Sequence, residues 1–410
     1  MSADDPPVYL FYGAPPALGQ NQKDPTHTAN FGAKLQERCK ESGVPCELVY
    51  PGAPDVKHAT VGNEIGAQLT EWLDSKRETR ALIDRALEMR LQFPLPELGG
   101  ENWPGMGWVT VADMKIIEGR FCYEREAFDD AAREYLDVVQ LGQRMTADGS
   151  EHATCVMGVV LQRKGLSAVR RLCSDERVSV AMMNRILARL PVPPTHDRDL
   201  AMIFDLEHAF ILASLRESLL FRKRSFETRI ATMFMNVHAT ELLAKELYDQ
   251  SKTNAMCASW AACDQRLFIE YEKLKIRYPD PFFLPKDGWK NKCLFLKDVL
   301  LHPNYGGEFL IVWNADIIND TVKRSFHTRT LLNLTRAFVA LRILRLETGA
   351  YPASLEEVVA KGLLPEVPGD FFDGQPLRYS AEKRLLWSVG EDCADDGGAE
   401  KKDVVITLPE

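Results

Sequence analysis

The sequence has no run of about 18 apolar residues, the length that a helix needs to cross the hydrocarbon core of a bilayer. It also has no basic segment followed by an apolar stretch near Met1, which is the pattern of a secretory signal. From these two absences we expect no transmembrane segment and a cytoplasmic location.

Cysteine pairs of the CxxC type are also missing, although the sequence contains nine cysteines. This absence argues against the zinc sites and thioredoxin-like redox sites that use such pairs. The odd count leaves at least one thiol without a disulfide partner. Reduced, buried cysteines in a cytosolic protein are the simplest interpretation.

An excess of basic charge is missing as well, since 50 Lys and Arg stand against 59 Asp and Glu, for a formal net charge of -9. Affinity for nucleic-acid backbones comes largely from clustered Lys and Arg, so this balance argues against a nucleic-acid binder. We interpret the basic cluster Arg222-Lys223-Arg224 as the solvated face of a helix.

What the sequence does contain is typical of a globular protein, with 45% hydrophobic and 27% charged residues. Its 410 residues exceed the size at which a single core stops growing, about 250–300 residues. The pattern changes along the chain and predicts three segments, residues 5–74, 75–320 and 321–410. The predicted fold class is mainly α, with a smaller α+β region at each end.

The first segment has the pattern of a βαβα unit. Apolar runs at residues 8–12 and 46–50, each followed by glycine or proline, are typical of buried strands. Helical spacing predicts one helix from about Thr28, with Gly43 just past its end, and another from about Asn63. A helix that connects two strands predicts that the strands are parallel.

Lys23-Asp24-Pro25 follows the first of these strands, and His58 follows the second strand and a Pro-Gly turn. In this order and spacing, the segment resembles the C-terminal end of α/β-hydrolase-fold esterases and acyl-peptidases. The resemblance implies that Asp24 stands at the position of the catalytic acid and His58 at the position of the catalytic histidine.

The serine of such an enzyme is missing from its expected place. It lies on a GxSxG turn that precedes the acid and the histidine in the chain, and no GxSxG precedes Asp24. The nearest matches are residues 165–169, inside a predicted helix, and residues 386–390, without the first glycine. Because an acid and a histidine alone cannot transfer acyl groups, we interpret Asp24 and His58 as remnants of a triad. The alternatives are a serine supplied by another chain, some other hydrolytic or binding use of the pair, and a natural start upstream of Met1.

Residues 75–320 are dominated by helical periodicity. Two helices are predicted over residues 111–145, and Gly119 with Tyr135 makes them similar to a tetratricopeptide-like pair. The pair is not followed by a clean repeat of about 34 residues, so we predict an irregular helical array. Further helices are predicted at about 151–172, 176–190, 198–221, 226–250 and 255–276.

The last segment combines one long helix with strands. An apolar stripe predicts a helix that ends at Thr348, with Gly349 as its stop signal. Ser354 and Glu357 match a capping box for a short second helix. Alternation predicts a hairpin of residues 377–379 and 385–388, followed by a last strand over residues 404–408.

The same segment carries turn and polar residues in a defined order: Thr348, Gly349, Tyr351, Pro352, Pro368, Asp370, Gly374, Pro376, Tyr379, Ser388, Gly390 and Asp392. This order resembles the globular part of type II secretion major pseudopilins, which implies a helix with a small antiparallel sheet. The hydrophobic N-terminal helix and methylation site of pseudopilins are absent, so we do not expect assembly into a pilus by that route. Together with the helical middle, the segment also resembles a group of uncharacterised bacterial proteins.

In major pseudopilins the loop after SxGxD binds calcium, and the corresponding loop here offers Asp392, Asp396 and Asp403. Carboxylates around a glycine turn suit a cation that prefers oxygen ligands. Lys401 and Lys402 reduce the negative charge of the loop, so the alternative is a solvated acidic turn.

These patterns favour a non-catalytic interaction or scaffold protein that carries a remnant hydrolase segment. A single pair of parallel strands needs covering, either by the helical body of the same chain or by the sheet edge of another subunit. The expected partner is another protein or a second copy of the chain. The alternative is a serine hydrolase that uses Asp24 and His58 with a serine supplied from elsewhere.

Overall fold

The structure is a computed structural model, and it describes residues 8–11, 29–44, 46–49, 75, 77–88, 105–147, 152–218, 235–275, 304–400 and 402–410. The chain forms two compact units, Met1–Glu78 and Thr79–Glu410. The described residues are mainly helical, as the sequence predicted.

The first unit contains β1 (Val8–Phe11), α1 (Ala29–Glu41) and β2 (Cys46–Val49). The two strands are parallel, with Val8 opposite Cys46, which confirms the predicted strand pair. Helix α1 ends before Gly43, whose φ of 73° is the left-handed conformation that glycine adopts at helix ends. Asp24, His58 and the helix predicted from about Asn63 lie outside the described residues.

From Arg77 onward the described chain forms a series of helices: α2 (Arg77–Glu88), α3 (Gly105–Glu124), α4 (Phe128–Ala147), α5 (His152–Cys173), α6 (Val180–Arg189), α7 (Arg198–Ser218), α8 (Val237–Ala255), α9 (Arg266–Lys275) and α10 (Tyr305–Thr348). The pair predicted over residues 111–145 is confirmed as α3 and α4. None of the described helices is both long and apolar enough to span a membrane.

Glycines allow α3, α4 and α5 to pack closely. Gly119 on α3 lies directly against the ring of Tyr135 on α4, so that any β carbon there would collide with the ring. Between α4 and α5, a β carbon on Gly158 would lie 2.6 Å from the carbonyl oxygen of Gly142. Backbone therefore packs against backbone at this crossing, as small residues permit.

The helix predicted over residues 255–276 is wrong in its first half. Residues 256–265 form turns with a short 3₁₀ segment, Trp260–Ala262, and α9 begins only at Arg266. The reason is tertiary, because the N–H groups of Trp260 and Ala261 donate to the carbonyl oxygens of Phe371 and Phe372, at 2.9 and 2.8 Å. These bonds replace the ones that a continuous helix would make.

The helix predicted over residues 226–250 is described only from Val237, where α8 starts. Asn236 caps it, because its side-chain oxygen accepts a hydrogen bond of 3.1 Å from the Ala239 N–H. Residues 226–234 lie outside the described part of the chain.

The 44-residue helix α10 organises the second unit. Its C-terminal half is buried on most sides, and Leu334, Phe338 and Leu341 are 0–1% exposed. It ends at Gly349, with a φ of 82°, as predicted. The helix is continuous through residues 320 and 321, where the sequence pattern placed a boundary, and the three-segment division stays a prediction.

Beyond α10 lie α11 (Leu355–Ala360) and an antiparallel sheet of β3 (Arg378–Ser380), β4 (Leu385–Ser388) and β5 (Val404–Thr407), in the order β3-β4-β5. The predicted hairpin and last strand are confirmed. Leu386, Ile406 and Leu408 join the same apolar core as the end of α10. The sheet is therefore held on that helix by apolar burial.

The predicted capping box at α11 is not formed. Ser354 occupies the N-cap position, but its side chain makes no hydrogen bond to the helix backbone. It bonds the side chain of Glu356 instead. Glu357 reaches one residue further back than a capping box requires and accepts a hydrogen bond from the Ala353 N–H at 2.9 Å.

Candidate functional site

The carboxylates predicted to bind calcium, those of Asp392, Asp396 and Asp403, lie in the loop between β4 and β5. Each of them bonds a group of the protein itself. Asp392 accepts a hydrogen bond from the Ala394 N–H at 3.1 Å, and Asp396 lies 3.0 Å from the Lys402 ammonium. Oδ2 of Asp403 accepts from two backbone N–H groups, at 2.8 and 2.9 Å. Calcium binding stays a prediction, and it requires the Lys402 ammonium to leave Asp396. The melting temperature of the protein, measured with calcium and with a chelator, tests it.

Among the described residues, the carboxylate group with the spacing of a metal site is Asp84, Glu134 and Asp137. Its centre is occupied by the ammonium of Lys115, whose Nζ lies 2.7, 2.7 and 3.1 Å from the three carboxylates. Burial lowers the pKa of Lys115, but the carboxylates more than reverse this effect, so the pKa lies above its usual value. This cluster is an ion-pair network, buried at Lys115 and Glu134 and exposed at Asp84, that connects α2, α3 and α4.

In the interior, a hydroxyl, an imidazole and a carboxylate lie near one another in the order found in a catalytic triad. Thr321 Oγ1 lies 2.7 Å from Nε2 of His152, whose Nδ1 lies 3.8 Å from Glu207. However, the Thr321 hydroxyl donates its proton to the Ile317 carbonyl at 2.8 Å, and the residue is 1% exposed. The hydroxyl can neither lose its proton to His152 nor reach a substrate, so the cluster is structural.

In the last segment, Ser388 and Arg378 donate hydrogen bonds to the buried carboxylate of Asp370. Ser388 Oγ donates to Oδ1 at 2.9 Å, and Arg378 Nη1 donates to Oδ2 at 3.0 Å. Burial raises the pKa of Asp370, and its hydrogen bonds oppose that shift. Ser388, from the second near match to GxSxG, is therefore bonded to a carboxylate inside the sheet. Ser167, from the first near match, is exposed on α5.

A groove of about 870 Å³ lies between α3, α4, α5, α10 and β5. Its apolar lining includes Ile116, Leu331 and Val404. Five cationic side chains line it as well, against two carboxylates, Asp113 and Asp403. The cations are Arg120, Arg163, Lys164, Arg170 and Arg171.

Among the described residues, two of these cations have a polar partner, and only that of Lys164 is a carboxylate. Lys164 lies 2.7 Å from Asp113, and Arg170 Nη1 donates to Thr335 Oγ1 at 2.7 Å. The exposed side chains of Arg120, Arg163 and Arg171 have no carboxylate partner among the described residues. Cations gathered in one cleft without counter-charges attract anions.

The polar groups beside these arginines stay neutral at pH 7. Burial, together with the positive charge of Arg163, lowers the pKa of His327 to about 4. Burial raises the pKa of Tyr135 to about 12, with Arg171 and Arg120 opposing the shift. The fixed positive charge of the groove therefore comes from Lys and Arg, and neutral side chains line it between them.

The sequence patterns did not predict this groove, although some of its basic residues stand at a recognisable spacing. Two basic doublets, residues 163–164 and 170–171, are seven residues apart, which places them on one face of a helix. Arg120 on α3 and Asp403 before β5 join them only through the tertiary fold. Comparison with known proteins adds no assignment, because no family model, no curated protein and no solved structure matches this chain.

Proposed function

We propose that this protein is a non-catalytic interaction protein that binds an anionic partner in the groove. The observation that carries the proposal is the set of three exposed arginines, Arg120, Arg163 and Arg171, without carboxylate partners among the described residues. The chain has a formal net charge of -9, so the groove reverses the charge of the molecule locally. Such a reversal serves to steer and hold negatively charged ligands.

In this proposal the first unit is a hydrolase-derived remnant with a structural or dimerising role. The reason is physical, because two parallel strands are marginal without further covering. The pseudopilin-like tail is assigned a structural role, which its enclosed polar network around Asp370 supports. The partner is another protein or a second copy of the chain.

The groove is tested by binding of fluorescein-labelled hexaglutamate, measured by fluorescence anisotropy. We expect Arg163→Ala/Arg171→Ala to weaken binding about tenfold or more, since each exposed charge contributes on the order of 1 kcal/mol. The control is Arg185→Ala/Arg266→Ala, which removes two exposed arginines that pair with Asp129 and Asp264 elsewhere. Equal affinities of the two double variants, or no binding by the unaltered protein, contradict the proposal.

The rival function, a serine hydrolase with Asp24 and His58 as acid and base, is tested separately. We expect p-nitrophenyl acetate turnover by the unaltered protein and by His58→Ala to be equal, and no serine to react with a fluorophosphonate probe. A labelled serine together with turnover that depends on His58 would establish the hydrolase instead.

A further inference from the structure

The free edge of β5 forms part of the groove. β5 stands at the end of the sheet, and the 2.9 Å bond from the Leu408 N–H to the Arg384 carbonyl fixes which of its residues face β4. Because backbone groups alternate along an antiparallel strand, Val405 and Thr407 direct their N–H and C=O groups away from β4. Among the described residues, these groups have no hydrogen-bond partner on that side.

Val404 and Val405 line the groove, so the unpaired edge and the cationic side chains border the same space. An unpaired strand edge is a template for an added strand, in which main-chain hydrogen bonds supply affinity and side-chain contacts supply specificity. The uncompensated arginines on the other wall select acidic side chains by charge complementarity.

Asp403, directly before β5, provides a second and independent indication of a ligand. The residue is 5% exposed and lines the groove. Its Oδ2 accepts two backbone hydrogen bonds, but its buried Oδ1 has no hydrogen-bond partner. A buried acceptor without a donor costs free energy, and a ligand N–H group would relieve that cost once Oδ1 turns toward the groove.

We propose that the groove holds an extended acidic peptide that pairs with the free edge of β5 as an additional strand. This inference rests on the proposed function and deepens it by naming the class of partner. The peptide backbone supplies donors and acceptors to Val405 and Thr407 and an N–H group to Asp403. Its acidic side chains contact Arg163 and Arg171.

A nucleic acid fits these features less well. A sugar-phosphate backbone has no N–H donors for Asp403 or for the carbonyl oxygens of the strand edge. The structure therefore favours a peptide over other polyanions.

The test uses the full chain and fluorescein-labelled hexapeptides of alternating glutamate and valine, with binding measured by anisotropy. One peptide is unmodified, one is N-methylated on its glutamates and one on its valines. In a paired strand only alternate N–H groups point at the neighbouring edge. We therefore expect one methylated peptide to bind about tenfold or more weakly and the other to bind within about threefold of the unmodified peptide.

Val405→Pro tests the same contact from the side of the protein. The substitution removes an outward N–H group and none of the hydrogen bonds to β4. Because β5 is an edge strand, we expect the sheet to accept proline at this position. We expect unchanged circular dichroism and an affinity loss of about tenfold or more. If this variant does not fold, the methylated peptides decide the question.

The outcomes separate this inference from the proposed function. Equal affinities of all three peptides overturn strand addition while leaving anion binding in place. An oligothymidylate of equal charge that binds as tightly as the peptide also overturns the inference. Failure of every anionic probe to bind overturns both proposals.

Discussion

Lys115 and His152 show how neighbours decide whether a buried side chain keeps its charge. Lys115 is 4% exposed, and three carboxylates raise its pKa above the usual value in spite of burial. His152 has no carboxylate at hydrogen-bonding distance from its ring nitrogens, and burial lowers its pKa to about 4. Burial therefore keeps His152 neutral, whereas at Lys115 three carboxylates outweigh burial and keep the charge.

The low pKa of His152 predicts that the fold loses stability on acidification. The unfolded chain binds a proton at this histidine below pH 6.5, and the folded chain does so only near pH 4. Stability is therefore fully present above pH 6.5 and falls by about 3 kcal/mol as the pH drops to 4. We expect His152→Gln to flatten the loss between pH 7 and pH 5, as measured by urea unfolding.

The control for this prediction is His238→Gln, which replaces an exposed histidine. The control should follow the pH dependence of the unaltered protein. A His152→Gln variant with the same pH dependence as the unaltered protein would show that this imidazole does not titrate on unfolding.

At the scale of elements, the sequence predicted the features that depend on local patterns. Helix α10, its stop at Gly349 and the three strands of the tail all follow from periodicity and turn residues. Residues 256–265 did not follow, because the N–H groups of Trp260 and Ala261 bond the carbonyl oxygens of Phe371 and Phe372, more than a hundred positions away. Local patterns carry no information about such bonds.

The groove was likewise predictable from the sequence only in part. The basic doublets on α5 were visible at helical spacing, but the unpaired state of Arg163 and Arg171 depends on which carboxylates the fold brings near them. The free edge of β5 depends on strand order, and the orphaned oxygen of Asp403 depends on burial. The net charge of the whole chain argued against a basic site, because this sum does not show where the positive charges cluster.

The crossing of α4 and α5 offers a prediction about packing. A β carbon at Gly158 would lie 2.6 Å from the Gly142 carbonyl oxygen, so Gly158→Ala must push two backbones apart. We expect a loss of about 1–3 kcal/mol in the free energy of unfolding, measured with urea. Gly107→Ala on α3 is the control, since nothing lies within 4 Å of its β carbon, and alanine there should be neutral or stabilising by up to about 1 kcal/mol. Equal effects of the two changes would show that α4 and α5 separate freely.

At the scale of the whole molecule, the second unit combines a helical body, a long central helix and a small sheet into one compact unit. The sheet contributes an edge and the helices contribute charge, and the groove exists only where the two meet. A binding role for the second unit therefore does not depend on Asp24 and His58 of the first unit.

Hydrogen–deuterium exchange in the presence of a saturating acidic peptide tests the central claim most directly. We expect exchange to slow about tenfold or more at the amides of Val405 and Thr407, which direct their N–H groups away from β4. With Arg163→Ala/Arg171→Ala at the same peptide concentration, we expect clearly smaller protection at these amides, because the variant binds the peptide about tenfold or more weakly. Unchanged exchange at both amides, with peptide bound to the unaltered protein, would contradict strand addition at β5.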